Sequence, residues 1–118
     1  RAADYSNLDP LSLIADNAWC GGIVIGSPLK SWRDVDLANQ PAKLSYNGEI
    51  EYTNTSAAMG NPLNSLAWLA TLLAEQGRSL KAGDIVMSGS TLATKFANKG
   101  DRACYEVEGI GAVEVSIE

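Results

Sequence analysis

Histidine is absent from this sequence of 118 residues, and its absence limits the chemistry that the chain can perform. Without imidazole, the chain can form neither a Ser-His nor a Cys-His nucleophilic pair, and it can form no imidazole metal site. Any reaction must therefore use carboxylates, hydroxyls, amides or lysines, or groups that another chain supplies.

Cysteines, basic clusters and long apolar runs are also scarce. Cys20 and Cys104 lie far apart, and no signal peptide or long apolar span accompanies them, which favours a reduced cytoplasmic protein but leaves a disulfide open. The formal net charge is -5, and there is no Lys/Arg cluster that could release counterions from phosphates. The sequence therefore argues against nucleic-acid and membrane partners.

The composition favours a packed protein, with 46% hydrophobic and 19% charged residues. A chain of this length fits one small domain, so residues 1–118 are expected to form a single domain. The sequence opens at Arg1 without an initiator Met and continues with the polar run RAADYSN, which suggests a longer protein with a missing N-terminal half.

The first forty residues predict one helix, one strand and a loop. Asp9, followed by proline, is typical of a helix start, and the helix is expected to end near Ala18. The β-branched run Ile23–Ile25 is bounded by glycines and predicts a buried strand. Residues 27–40 predict a loop that burial of Trp32 would pin.

A β-hairpin is predicted over 42–54, because Asn47-Gly48 favours the positive φ angles of a type I′ turn between alternating segments. Glu49 and Glu51 alternate with apolar residues and are expected on its solvent face. The packed face is predicted to consist of Leu44, Tyr46, Ile50 and Tyr52.

One principal helix is predicted at about 62–76, because Asn61-Pro62 can cap it and an apolar stripe continues at helical spacing. Trp68 lies within this helix and is expected in the core. Three β segments are predicted to follow, so the fold class is α+β and rich in β structure; the segments are Asp84–Met87, Ala103–Val107 and Ala112–Ile117.

Three motifs occur in a characteristic order: IADNAWCGGIVIGSP at 14–28, LSYNGEIEYTNTSAAMGNPLNSLAWLATLLAEQG at 44–77, and LKAGDIVMSGST at 80–91. Together they resemble the hydratase and decarboxylase branch of the fumarylacetoacetate hydrolase superfamily, in its C-terminal half. The tripeptide that begins at Asp16 matches the family, whereas Trp19 stands where the family usually has serine.

The resemblance implies a mixed β-roll in which Mg²⁺ or Mn²⁺ binds the carboxylate and the adjacent oxo or enol oxygen of a small 2-oxo acid. The metal would act as a Lewis acid that stabilises an enolate-like intermediate. In the family, the metal carboxylates and the catalytic lysine precede the region covered here. The resemblance therefore implies that this chain is the C-terminal part of a longer catalytic domain and that its metal ligands and main catalytic groups lie outside it.

The activity implied by the resemblance is that of a lyase that hydrates a 2-hydroxy-2,4-dienoate, or 2-oxo-4-enoate, in aromatic catabolism. Decarboxylation of a 2-oxo-3-enedioate of the 4-oxalocrotonate type and hydrolysis of an acylpyruvate remain alternatives. A non-catalytic fragment or interaction subunit with the same fold is another. A missing half would leave apolar surface exposed, which favours a companion chain or a homo-oligomer.

A polar turn at the end of the third motif is the main candidate for substrate binding. Ser88, Gly89, Ser90 and Thr91 offer hydroxyls and backbone amides that can bind a carboxylate, and the family match favours Ser90. The alternative is an ordinary turn, in which glycine is present at position 89 only because the turn needs its φ angle.

Two further candidates lie in the first motif. Asn17 can orient a substrate oxygen or a water, because its amide both donates and accepts; alternatively, it satisfies backbone groups at a helix end. Trp19 can narrow the site in place of the family's serine, or it can be a buried anchor.

Overall fold

The computed structural model describes residues 9–118, so the opening residues 1–8, which include the polar run RAADYSN, lie outside the described part. The predicted α+β fold with one principal helix is confirmed. The described part of the chain contains two α-helices, α1 (Pro10–Ala15) and α2 (Pro62–Glu75), together with 3₁₀ turns at Asn17–Trp19, Trp32–Asp34 and Thr55–Ala57. The strands are β1 (Pro41–Tyr46), β2 (Glu49–Asn54), β3 (Arg102–Val107) and β4 (Gly111–Ser116).

The four strands form one antiparallel sheet in the order β2-β1-β3-β4. The hairpin prediction is confirmed, and Asn47 and Gly48 have φ angles of 52° and 90°. The register aligns Leu44 with Tyr105 across β1 and β3, and Tyr105 with Val113 across β3 and β4. One face of the sheet, here called the inner face, therefore carries mostly apolar side chains: Ala42, Leu44, Tyr46, Ala103, Tyr105, Val107, Val113 and Val115.

The prediction of the packed face of the hairpin is wrong for two of its four residues, Ile50 and Tyr52. A two-residue turn pairs Ser45 with Ile50 and Lys43 with Tyr52, so these two apolar residues lie on the opposite, outer face. They are 53% and 77% exposed. By the same register, Glu49 and Glu51 lie on the inner face, and Glu51 forms an ion pair with Lys95 instead of facing solvent alone.

Both helices begin as the sequence predicts. The Asp9 carboxylate accepts a hydrogen bond of 2.9 Å from the Ser12 amide, and the Asn61 side chain accepts one of 2.9 Å from the Leu63 amide. These bonds satisfy amides that have no partner inside the helix. Helix α1 nevertheless ends at Ala15 and not near Ala18.

The chain leaves α1 through a left-handed turn. Asn17, Ala18 and Trp19 have φ angles of 50°, 50° and 62°. A right-handed helix cannot continue through such angles, and only asparagine among these three adopts them readily. This reversal is the reason that the first helix is shorter than the sequence predicts.

The described residues bury very little of their own surface. Within residues 9–118, only Ala42, Ala58 and Thr55 are buried. The accessible surface is 8979 Å², whereas a compact monomer of 12.5 kDa exposes about 6200 Å². The radius of gyration is 15.8 Å, compared with about 13.5 Å for a compact chain of this length. The chain therefore has an open shape with a small core.

This open shape overturns several predictions about burial. Trp68 is 59% exposed and lies outside the core, and Trp32 is also exposed, with the Arg33 guanidinium over its ring at 4.4 Å. The segment Ile23–Ile25 is exposed and forms no strand, and Asp84–Met87 forms none either. Within residues 9–118, most of the apolar side chains in these segments are exposed.

Gly26 lies closer to the edge strand β4 than any side chain would allow. A Cβ atom at this position would come within 2.9 Å of Val113 Cγ1 and 3.5 Å of the Ala112 carbonyl oxygen. Valine has few rotamers with which to move away. Glycine is therefore needed here for space, and its φ angle is unremarkable.

Replacement of Gly26 by alanine is expected to lower the free energy of unfolding by about 1–3 kcal/mol, the usual cost of forcing extra atoms into packed structure. The matched control is Gly22→Ala, because a Cβ atom at Gly22 meets nothing within 4 Å. Denaturant titration of both variants measures the difference. Equal stabilities would show that β4 yields to the added methyl group.

Asp101 connects the hairpin to the turn before β3. Its carboxylate accepts hydrogen bonds from the Asn98 amide at 2.8 Å, from the Tyr46 hydroxyl, and from Asn47 Nδ2 at 2.9 Å. These donors, the Asn98 amide foremost, hold the pKa of Asp101 below its ordinary value of 3.8. The hydrogen bond that the Tyr46 hydroxyl donates to Asp101 also raises the pKa of Tyr46.

A folded-state pKa below the unfolded one makes Asp101 stabilising at neutral pH. This stabilisation is complete above pH 3.8 and is lost as the pH falls through the folded pKa. Asp101→Asn is expected to lower the melting temperature by several degrees at pH 7 and to weaken its dependence on acid below pH 4. Asp34→Asn, at an exposed carboxylate, is the control; an unchanged acid dependence in Asp101→Asn would contradict the assignment.

Candidate functional site

The polar turn of Ser88, Gly89, Ser90 and Thr91 lies in an irregular segment between α2 and β3. Gly89 has a φ angle of 110°, a conformation that L-residues rarely adopt. Ser88 and Thr91 are half-buried, whereas Ser90 is exposed. Gly89 thus adopts a backbone conformation that favours glycine, with a half-buried hydroxyl residue on either side of the pair that it forms with the exposed Ser90.

Side chains from two different elements hold the ends of this turn. From α2, the Ser65 hydroxyl donates to the Ser88 carbonyl oxygen at 2.6 Å. From β2, the Thr53 hydroxyl donates to the Thr91 carbonyl oxygen at 2.8 Å. Because the two anchors come from the main helix and from the sheet, the turn is fixed relative to both.

A cavity of about 670 Å³ lies directly beside the turn. The turn forms its polar wall, and the inner face of the sheet forms part of its apolar wall through Leu44, Tyr105 and Val107. A mostly apolar cavity with a few fixed polar groups is the usual design of a small-molecule site. The hydroxyls and amides of residues 88–91 are neutral, so they can bind an anionic oxygen without a cation.

Asn17 and Trp19 do not line this cavity. Trp19 lies at a second cavity of about 320 Å³, which Asp16, Cys20, Lys95 and others line. The Asn17 amide donates to the Cys20 carbonyl oxygen at 3.0 Å, which ties it into its own left-handed turn. The structure therefore brings Ser88, Gly89, Ser90 and Thr91 together but leaves Asn17 and Trp19 apart from them.

Three residues important to this geometry were not predicted from the sequence: Thr53, Ser65 and Tyr105. The first two act through contacts that join residues 38 and 23 positions apart, and no local pattern reports such contacts. For Tyr105 a signal existed, because the alternation within β3 places it on the inner face together with Val107.

The described residues do not provide a metal centre. Between residues 9 and 118 there is no group of three or more His, Cys, Asp or Glu side chains that could hold a metal ion. Within the same range, Cys20 and Cys104 are free thiols. No helix in this part of the chain is both long enough and apolar enough to cross a membrane.

Comparison with known proteins identifies relatives along the whole chain. Residues 1–118 match the sequence model of the fumarylacetoacetate (FAA) hydrolase C-terminal family. A 4-oxalocrotonate decarboxylase of Pseudomonas putida is 36% identical over 112 residues, which cover 92% of this chain and 42% of the relative. A 2-keto-4-pentenoate hydratase of Paraburkholderia xenovorans (strain LB400) is 35% identical over 119 residues, which cover 100% of this chain and 44% of the relative.

A solved structure shares the same fold. The 4-oxalocrotonate decarboxylase from Pseudomonas putida G7, complexed with magnesium and adipate, superposes with a TM-score of 0.86 at 33% sequence identity. The match covers 98% of this chain and 44% of that one. The chain therefore spans less than half the length of the relatives that it matches.

Proposed function

Because the chain belongs to the fumarylacetoacetate hydrolase C-terminal family, we propose that residues 1–118 form the C-terminal part of a longer catalytic domain of a lyase. The proposed reaction is the addition of water to a 2-hydroxy-2,4-dienoate, as in aromatic catabolism. The similarity to a 2-keto-4-pentenoate hydratase along the entire chain supports this activity. The large exposed apolar surface supports a further segment or companion chain, and a homo-oligomer, as its cover.

The anchored turn beside the cavity is the observation that carries this proposal. Its two ends are fixed by Ser65 and Thr53, and Ser90 lies between them as an exposed donor. Fixed hydroxyl and amide donors bind a carboxylate with little loss of conformational entropy. In the proposed site, Ser90 binds the carboxylate of the 2-oxo acid, with Ser88, Gly89 and Thr91 as the supporting wall.

Asn17 and Trp19 have a separate place in the proposal. In the proposal, Trp19 narrows the site only if a further segment joins its cavity to the first one. Asn17 lines neither cavity, so it orients a substrate oxygen or water only if the substrate extends to the turn that its side chain holds. The 4.6 sequence pI and the two free thiols support a protein of the reduced cytoplasm that binds no nucleic acid.

Magnesium or manganese is the proposed cofactor, and magnesium is bound in the related decarboxylase structure. Residues 9–118 do not fit such an ion, since they contain no cluster of candidate ligands. As the family resemblance implies, the ligands and the catalytic lysine are proposed to lie outside this chain. What the chain itself supplies in this proposal is carboxylate binding and an apolar cavity wall.

Decarboxylation of a 2-oxo-3-enedioate is the second candidate. The 4-oxalocrotonate decarboxylase of Pseudomonas putida matches this chain about as well as the hydratase does, at 36% and 35% identity. An enedioate carries a second carboxylate, and this carboxylate would have to lie in the cavity. The part of the cavity wall that this chain contributes is largely apolar. A hydratase substrate without that second charge suits this wall better. Acylpyruvate hydrolysis and a purely non-catalytic role are the remaining alternatives.

The test uses a polypeptide of the relatives' full length that carries this chain at its C-terminus, here called the extended polypeptide. With Mg²⁺ or Mn²⁺ and 2-hydroxypenta-2,4-dienoate, it is expected to give a product heavier by one water, detected by mass spectrometry. Incubation with 2-oxohex-3-enedioate tests the alternative, because decarboxylation releases CO₂. Addition of a chelator is the control and should stop either reaction.

The outcomes separate the candidates. CO₂ release without hydration would replace the hydratase by the decarboxylase. No reaction with either substrate or with an acylpyruvate, in a folded and metal-loaded extended polypeptide, would favour the non-catalytic role.

A further inference from the structure

Tyr105 occupies a central position on the inner face of the sheet. It lies in β3 between Leu44 of β1 and Val113 of β4. Its side chain lines the cavity beside the polar turn and also a neighbouring cavity of about 430 Å³, on the side of Gly26 and Ser27. The ring is therefore part of the partition between two cavities, and its hydroxyl is the polar group of that partition.

The hydroxyl of Tyr105 contacts one specific group of the polar turn. Its oxygen lies 2.7 Å from Thr91 Oγ1, and either atom can be the donor. The backbone of Thr91 is held independently, because its carbonyl oxygen accepts from Thr53. Tyr105 thus does not determine where Thr91 lies; what it can determine is the direction in which the Thr91 hydroxyl points its proton.

Chemistry favours one of the two directions. A phenolic O–H is more acidic than an aliphatic hydroxyl and is the better donor of the two. If Tyr105 donates, the oxygen of Thr91 is an acceptor in this contact and its single proton is available for another acceptor. Hydrogen bonds in such a chain strengthen one another, most of all in surroundings of low polarity.

We propose that Tyr105 is a positioning residue that donates to Thr91 Oγ1 and thereby turns the Thr91 hydroxyl into a donor for a carboxylate oxygen of the substrate. The inference rests on the proposed function for the identity of that substrate, a 2-oxo acid. It adds a residue outside the polar turn that determines how well the turn binds an anion. A donor fixed in this way suits an anionic oxygen and disfavours a neutral ligand that could only donate.

The test measures binding of oxalate, a planar dicarboxylate related to the enolate of a 2-oxo acid, to the Mg²⁺-loaded extended polypeptide. Tyr105→Phe removes only the hydroxyl and is expected to weaken oxalate binding by about 5-fold, the scale of one hydrogen bond between neutral groups. In the hydration assay it should raise KM by a similar factor and change kcat less than about 2-fold. Tyr52→Phe, at an exposed residue of the outer face, is the matched control.

A double-mutant cycle shows whether Tyr105 acts through Thr91. In a Thr91→Val background, Tyr105→Phe should have no further effect on oxalate affinity. Equal effects of Tyr105→Phe in both backgrounds would overturn the proposal, as would unchanged affinity in the single variants, or a failure of the unsubstituted polypeptide to bind oxalate. If oxalate binding follows the cycle but no substrate is turned over, the proposed function fails and the role of Tyr105 stands.

Discussion

The Gly89→Ala variant of the extended polypeptide is expected to lose about 100-fold in kcat/KM, the scale of a misplacement of about 1 Å at a binding group. At a φ angle of 110° an alanine is strained whatever space surrounds it, and a Cβ atom here meets nothing within 4 Å. The cost therefore arises in the backbone. Because Ser65 and Thr53 hold the two ends of the turn, the strain is relieved by movement of the residues between them, Ser90 above all.

A variant at a second glycine, Gly77, distinguishes the loss of activity expected for Gly89→Ala from a general loss of stability. Gly77 follows α2 with a φ angle of 69° and also has open space around its Cα, but it lies outside the cavity lining. Gly77→Ala is expected to reduce the free energy of unfolding by about 1 kcal/mol and to leave kcat/KM of the folded protein unchanged. Comparable losses of activity in both variants, or full activity in Gly89→Ala, would remove the polar turn from the binding site.

Expressed by itself, the 118-residue chain is expected to be far less stable than the extended polypeptide, with a free energy of unfolding below the usual minimum of about 5 kcal/mol. Its accessible surface exceeds that of a compact monomer by roughly 2800 Å². Large apolar side chains such as Ile14 and Trp68 contribute to this excess, because they are exposed. Such surface binds hydrophobic dyes and promotes association.

The measurement compares the two polypeptides by urea titration, by fluorescence of a hydrophobic dye and by sedimentation. The chain alone should bind the dye and unfold with low cooperativity, whereas the extended polypeptide should not bind the dye. A monomeric, cooperatively folding chain of ordinary stability would contradict the inference that its apolar surface needs a cover. The Trp68→Glu variant sharpens the comparison, because it should improve the solubility of the chain alone and destabilise the extended polypeptide.

Local signals in the sequence predict the parts of the fold that local geometry determines. Asn47-Gly48 requires positive φ angles and gives the hairpin, and Asn61 before a proline gives the start of α2. The assignment of Ile50 to the packed face failed although the information was present. A two-residue turn pairs even positions of one strand with odd positions of the other, so Leu44 and Ile50 cannot share a face.

Burial could not be predicted in the same way, because it depends on what else is present. Ile23–Ile25 and Trp68 carry the composition of buried elements, yet residues 9–118 do not cover them. The polar turn at Ser88–Thr91 was predicted from its residues, and the family resemblance singled out Ser90. The two anchors of the turn, Ser65 and Thr53, become visible only when the sheet and α2 are assembled. Contacts between distant residues leave no periodic signal in a single sequence.

The two edge strands of the sheet differ in what lies beside them. Along β2, the carboxylates of Glu49 and Glu51 provide charge, which discourages pairing with a foreign strand. At β4, the backbone of Gly26 lies against Val113 and Ala112. Gly26 and Val113 also line the cavity on the far side of Tyr105, so the same substitution that weakens the fold would also reshape that cavity.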